Sequence, residues 1–121
     1  MKYMLLVHHD EEAFDKIAKD GQQQLLAESV QLTHQLHANG QYIGASPLQP
    51  AATAAIVRVR DGKPLVTDGP FIETREQIAG YFLIDANSID DAIAIAKRVP
   101  GARIGTVEVR PVRQITGLPN E

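Results

Sequence analysis

Two histidines and a carboxylate, His8-His9-Asp10, close an apolar run that opens at Lys2. An imidazole exchanges its proton near neutral pH, and a neighbouring carboxylate fixes its tautomer, so this trio is a candidate for general acid–base chemistry. Adjacent strand residues point to opposite faces, so one imidazole at most enters a given pocket, and the residues leave open which. The plainer alternative is a solvated histidine at a strand end.

A second group, Asp68-Gly69-Pro70-Phe71 followed by Glu73, Arg75 and Glu76, lies between two strand-like runs. Asp68 suits an Asx-type turn, Gly69 a left-handed backbone, Pro70 a fixed φ, and Phe71 is the right size to plug a core. A rigid loop of this kind can also hold carboxylates at a pocket rim, with Glu73 and Glu76 able to face one way. A third group is His34 and His37 on one helix. His37 falls on the apolar arc near Leu26 and Val30, as a half-buried residue, and His34 falls on its flank. With neither a third ligand of matching spacing nor an HExxH pattern, a metal site is not expected. Last, Glu108 and Arg110 share one strand face, as do Arg58 and Arg60. If these faces line a sheet–sheet cavity, their guanidinium groups can hold an anion bidentately; cross-strand ion pairing is the other reading.

The elements that position these groups follow from pattern. Lys2 to His8 reads as a strand, and Asp10-Glu11-Glu12 as a helix entry suited to the positive end of a helix dipole. From Gly21 to Ala38 the residues Leu25, Leu26, Val30, Leu32 and Leu36 share one arc of a helix that Asn39-Gly40 ends. Gly40 to Gln49 is a connector with room for a short edge strand at 42–45. Ala55–Arg60 and Pro64–Thr67 flank Asp61-Gly62, which specifies a type I′ hairpin. The run 78–84 is a buried strand, and Asp85-Ala86-Asn87-Ser88 caps a helix whose apolar residues run from Ile89 to Val99 before Pro100-Gly101 stops it. Ile104 to Val112 alternates as a last strand. The order β, α, β-hairpin, β, α, β is an α+β, ferredoxin-like sandwich. Two helices cover only one face of the sheet, yet the first strand is apolar on both, with Tyr3, Leu5 and Val7 against Met4 and Leu6. The cheapest cover is a second copy of the chain, so a homodimer is expected.

Composition narrows the function classes. The 121 residues carry 12 Lys plus Arg against 15 Asp plus Glu, a formal charge of −3, with the basic residues scattered from Lys2 to Arg113. No stripe tracks a phosphate backbone, so nucleic acid is not an expected partner. There is no cysteine, hence no disulfide frame or thiol nucleophile. The N-terminal run is too short for a signal peptide or a membrane span, so a cytoplasmic location and no membrane partner are expected. No GxGxxG, P-loop, nucleophile elbow or Ser-His-Asp signature occurs, and no cofactor is called for.

The nine residues Asp68-Gly69-Pro70-Phe71-Ile72-Glu73-Thr74-Arg75-Glu76 resemble the DGPFAETKE signature of the DGPF-domain proteins of the YCII-related family. The likeness extends to Met1-Lys2-Tyr3-Met4-Leu5-Leu6, to Gly80-Tyr81-Phe82-Leu83-Ile84 and to Glu108-Val109-Arg110-Pro111-Val112, with Ile72 and Arg75 in place of Ala and Lys. It implies one domain over residues 1–113 with a tail over 114–121. It also implies a ferredoxin-like fold of the dimeric α/β-barrel superfamily, and a pocket in which relatives use a His-Asp pair on small cyclic or aromatic compounds in lyase-type steps. The candidate catalytic residues are then His8 or His9, with Asp68 or Glu76 as orienting acid, and the candidate substrate-binding residues are Arg58, Glu73, Tyr81 and Arg110. The ligand expected is a small anionic or aromatic molecule. Whether the chain is an enzyme or a ligand-sensing or protein-docking module, including the transcription-initiation, sigma-factor-associated role attached to the family, is left open by the residues.

Overall fold

The protein is described from a computed structural model covering residues 1–119; the last two residues of the expected tail lie outside the described residues. Strand β1 (Lys2–Asp10) runs into helix α1 (Glu11–Asp15), then α2 (Lys19–Ala38), β2 (Tyr42–Pro47), a 3-10 turn at Ala51–Thr53, β3 (Ala55–Arg60) and β4 (Lys63–Asp68). Next come β5 (Glu76–Asp85), α3 (Ile89–Ala96), a second 3-10 turn at Pro100–Arg103, and β6 (Thr106–Pro111). The fold is α+β, with a four-stranded antiparallel sheet in the order β2-β5-β1-β6 and a separate two-stranded ribbon, β3-β4.

Local chemistry accounts for most boundaries. Asp10 accepts a hydrogen bond from the Ala13 amide at 3.2 Å and so N-caps α1, with Glu11 and Glu12 in the first turn. Ser88 does the same for α3, accepting from the Asp91 amide at 3.2 Å. Asp61 and Gly62 both have positive φ (51° and 74°), the conformation a type I′ turn demands.

The sheet has one dry face. Tyr3, Leu5 and Val7 of β1 alternate inward with Phe82 and Ile84 of β5 and pack on Leu32 and Leu36 of α2 and on Ala92, Ile95 and Val99. Met4, Leu6, Tyr81 and Leu83 occupy the opposite face, where β1 pairs Met4 with Leu83 and Leu6 with Tyr81. Between Val7 and His8 the β1–β5 register slips, so that Val7 pairs with Gly80 and His8 with Ile78, leaving Ala79 as a bulge.

Several expectations are corrected. The hairpin is not part of the main sheet. The edge strand for which the connector after α2 has room at 42–45 is present as β2, extended to Pro47, and it completes the main sheet by pairing along β5 from Ile84 to Gly80. Phe71 does not plug the core: it is 63% exposed, with the Arg58 guanidinium 5.3 Å from its ring centroid. Gly69 is not left-handed. Glycine is needed there because a Cβ would stand 2.7 Å from that of Ala54, whose carbonyl accepts from the Gly69 amide at 2.7 Å. His37 is exposed rather than half-buried, with its ring edge-on to Tyr42 at 6.4 Å. Leu26 and Val30, placed on the core arc, are 53% and 48% exposed, since the helix stands away from the sheet at that end.

Candidate functional site

Where α2 stands away from the sheet there is an open cavity of about 320 Å³. Its floor is the dry face of the sheet at Val7, Gly80 and Phe82, its wall is α2, and one end is closed by Val99, Pro100 and Ile104. Two polar links hold α2 to the far wall: Arg103 Nη2 to Glu28 Oε2 at 2.8 Å, and Arg98 Nη2 to Gln35 Oε1 at 2.6 Å.

The strand alternation divides the two histidines as pairing demands. His9, paired with Gln77, turns to the helix side, lines the cavity and stacks on Phe14 at 4.6 Å with an interplanar angle of 23°. Phe14 is held in turn by the α1–α2 connection, where the Gln22 side-chain amide donates to the carbonyls of Phe14 and Ile17, both at 3.1 Å. Below His9 the backbone approach is close. A Cβ on Gly105 would lie 2.0 Å from the His8 carbonyl oxygen and 3.0 Å from His9 Cα, so only glycine fits against this end of β1. Burial holds the His9 pKa below its ordinary 6.5, against the opposing attraction of the carboxylates of Glu11, Asp15, Asp10 and Glu76. The imidazole is therefore neutral at physiological pH and able to take up a proton.

His8 emerges on the opposite face. Its Nε2 lies 3.5 Å from Glu108 Oε1, and Glu108 also holds Arg110 two residues along the same strand. The Glu108 carboxyl is depressed below the usual carboxylate range, chiefly by the Arg110 hydrogen bond. Beside this cluster Thr106 donates to Glu76 Oε1 at 2.8 Å. Thus His8, Glu76 and Arg110 share the open face of the sheet, apart from His9. Asp68 ends β4, exposed, opposite Ala55, and Glu73 is exposed in the loop that leads to β5. Arg58 belongs to the ribbon. None of Asp68, Glu73, Glu76, Arg58 and Arg110 lines the cavity. Tyr81 does contribute to the lining, although the alternation turns its ring toward Leu6 and Leu83. Among the described residues no group of three or more His, Asp or Glu is placed to hold a metal ion, and no helix is long and apolar enough to cross a membrane.

Gln22, Ser29 and Thr33 also line the cavity from α2. Their signal in the sequence is uncharged polar side chains interrupting an apolar arc at spacings of seven and four.

Residues 1–116 match the YCII-related domain family. An uncharacterized protein of Rhizobium meliloti (strain 1021) is 32% identical over 114 residues, spanning 93% of this chain and 92% of that protein. The chain belongs to the YCII-related family.

Proposed function

Taking this chain as a YCII-related protein, we propose that it binds a small molecule between α2 and the sheet and that His9 exchanges a proton with it, in a cofactor-independent acid–base step of lyase type. The observation that carries this reading is a neutral imidazole at the wall of an apolar cavity, ring-stacked on Phe14 and backed by a glycine that fixes the strand end. A base desolvated in this way does not hold a proton at neutral pH, so it can receive one from a ligand and return it to the ligand or to a departing group. The carboxylates of Asp10 and Glu11, next in sequence, stabilise the imidazolium while it lasts. Asp68 and Glu73 are then residues of chain architecture, and His8 belongs to an ion-paired cluster on the other face.

The same reading includes a homodimer. The strand order β2-β5-β1-β6 suits a ferredoxin-like sandwich that pairs sheet to sheet. Met4, Leu6, Tyr81 and Leu83 form an apolar surface opposite the core, and the ribbon exposes Val57, Val59, Leu65 and Val66 on both sides. A lone two-stranded ribbon is marginal in water, which favours its packing on a partner copy.

A thermal-shift screen against small acids, phenols and lactones tests the site. A ligand that binds only the folded state raises the melting temperature by mass action, by roughly 2.7 kcal/mol of stability at a hundred times its Kd. We expect His9→Ala to abolish the response while remaining folded, and His8→Ala and Asp68→Ala to retain it. Loss of the response in Asp68→Ala with retention in His9→Ala overturns the assignment.

A further inference from the structure

The cavity's own polar groups indicate what it accepts, an argument that rests on its being the ligand site. Among the described residues its lining contains no Lys, Arg, Asp or Glu. Gln22, Ser29 and Thr33 form one stripe of α2 facing it, and each has committed its hydrogens to the backbone. Gln22 Nε2 donates to two carbonyls, Ser29 Oγ donates to the Leu25 carbonyl at 2.9 Å, and Thr33 Oγ1 donates to that of Val30 at 2.6 Å. A side-chain amide nitrogen has two hydrogens and a hydroxyl has one. What these side chains still offer a ligand is therefore the Gln22 amide oxygen and two sets of hydroxyl lone pairs, so the α2 wall presents acceptors alone, while the other polar side chains of the lining, His9, Tyr42, Ser46 and Tyr81, are imidazole and hydroxyl groups that donate as well as accept.

The charges around His9 add to this. The charged groups that act on its imidazole, Glu11, Asp15, Asp10 and Glu76, are all acidic. An anion entering the cavity would lose its hydration, meet acceptors on α2, and find a negative potential at the His9 end. The expected anion clamp is absent from the lining as well: Arg110 is paired with Glu108, and Arg58 covers Phe71.

We infer that the cavity selects uncharged, largely apolar molecules that carry hydroxyl or amino hydrogens, donated to the acceptor stripe Gln22–Ser29–Thr33, and that it rejects anions of the same shape. The anionic half of the ligand expectation drawn from the sequence is thereby replaced for this site.

Three probes of one shape test it: benzyl alcohol (uncharged, with a donor), benzyl methyl ether (uncharged, without one) and benzoate (an anion). Each is titrated into isotopically labelled full-length protein and followed on the backbone amide resonances of Ser29, Thr33, Gly80 and Gly101. We expect benzyl alcohol to bind at least about tenfold more tightly than benzoate, as an unpaired charge in an apolar site requires. It should also bind several-fold more tightly than the ether, consistent with about 1 kcal/mol for a hydrogen bond. In a Ser29→Ala/Thr33→Val variant, which removes the two hydroxyls at little change of shape and leaves only the Gln22 amide oxygen on the stripe, the alcohol's advantage over the ether should shrink by about twofold or more. Benzoate binding at these residues as well as the alcohol overturns the inference and leaves the cavity as the site. An alcohol–ether difference that the double substitution leaves unchanged overturns the role of the Ser29 and Thr33 hydroxyls, and with it the stripe. If none of the three moves these resonances, the ligand-site reading falls, and the inference with it.

Discussion

Gly105→Ala is the substitution in which the geometry leaves least room for adjustment. The new Cβ would sit 2.0 Å from the His8 carbonyl oxygen, a backbone atom that cannot swing aside, and 3.0 Å from His9 Cα. Relief to an ordinary contact at 3.4 Å requires about 1.4 Å of separation between the start of β6 and the end of β1, and overpacking of this kind costs roughly 1–3 kcal/mol. That movement opens the pairing of His8 with Thr106 and carries His9 away from Phe14. In a domain of this size 2 kcal/mol corresponds to a fall in melting temperature of roughly 8 °C. Calorimetry and urea unfolding read the loss, and the imidazole and Phe14 ring resonances report whether the stack has parted. If Gly105→Ala unfolds within about 0.5 kcal/mol of wild type, the ordinary range for an unconstrained surface change, with its ring resonances unmoved, the claim that this glycine fixes the His9 backbone is refuted.

Three other outcomes are expected. Leu36, fully buried between α2 and the sheet, should lose about 2–5 kcal/mol on replacement by alanine, read by urea unfolding; a loss below 1 kcal/mol would show that α2 is not seated as described. Because burial depresses the folded-state pKa of His9, the unfolded chain takes up that proton first as pH falls. Its contribution to stability is thus complete above 6.5 and lost as pH drops through the lower folded-state value. His9→Phe keeps a ring against Phe14 without the titration and should show a smaller drop in urea midpoint between pH 7 and pH 5 than wild type; an equal drop would assign the effect elsewhere. Finally, Leu83→Arg places a charge on the apolar face of the sheet opposite the core and should convert a dimer to a folded monomer in sedimentation. An unchanged dimer would mean that this face is not the interface.

The parts of the fold legible in the sequence were those governed by local chemistry. Asp61-Gly62 announces its turn because those residues tolerate positive φ, Ser88 announces a helix because its hydroxyl caps an amide, and the alternation of β1 announces two apolar faces. Long-range choices were not legible. The apolar piece at 42–45 announces a short edge strand, but nothing local says that it extends to Pro47 or that it completes the sheet on β5 in place of the stronger-looking hairpin, and nothing around Phe71 says that it meets Arg58 instead of the core. Glu76 and Gln77 read as loop because polar residues begin β5, yet their pairing with Asp10 and His9 extends the strand. For the site, the separation of His8 from His9 followed from strand geometry, whereas the choice of His9 depends on which face the helices cover. Leu25, Leu26 and Val30 looked like core for the same reason: periodicity shows the apolar side of a helix and not how close the sheet comes to it.

The central claim is that ligand chemistry belongs to the cavity beneath α2 and to His9. Its most direct test is a crystal structure of the protein with a compound that raises the melting temperature of wild type but not of His9→Ala. The account predicts electron density for the compound between α2 and β5, with a polar atom within hydrogen-bond distance of the His9 imidazole. Density at the Asp68–Glu76 loop, or beside His8 and Arg110 on the opposite face, with the cavity empty, would contradict it.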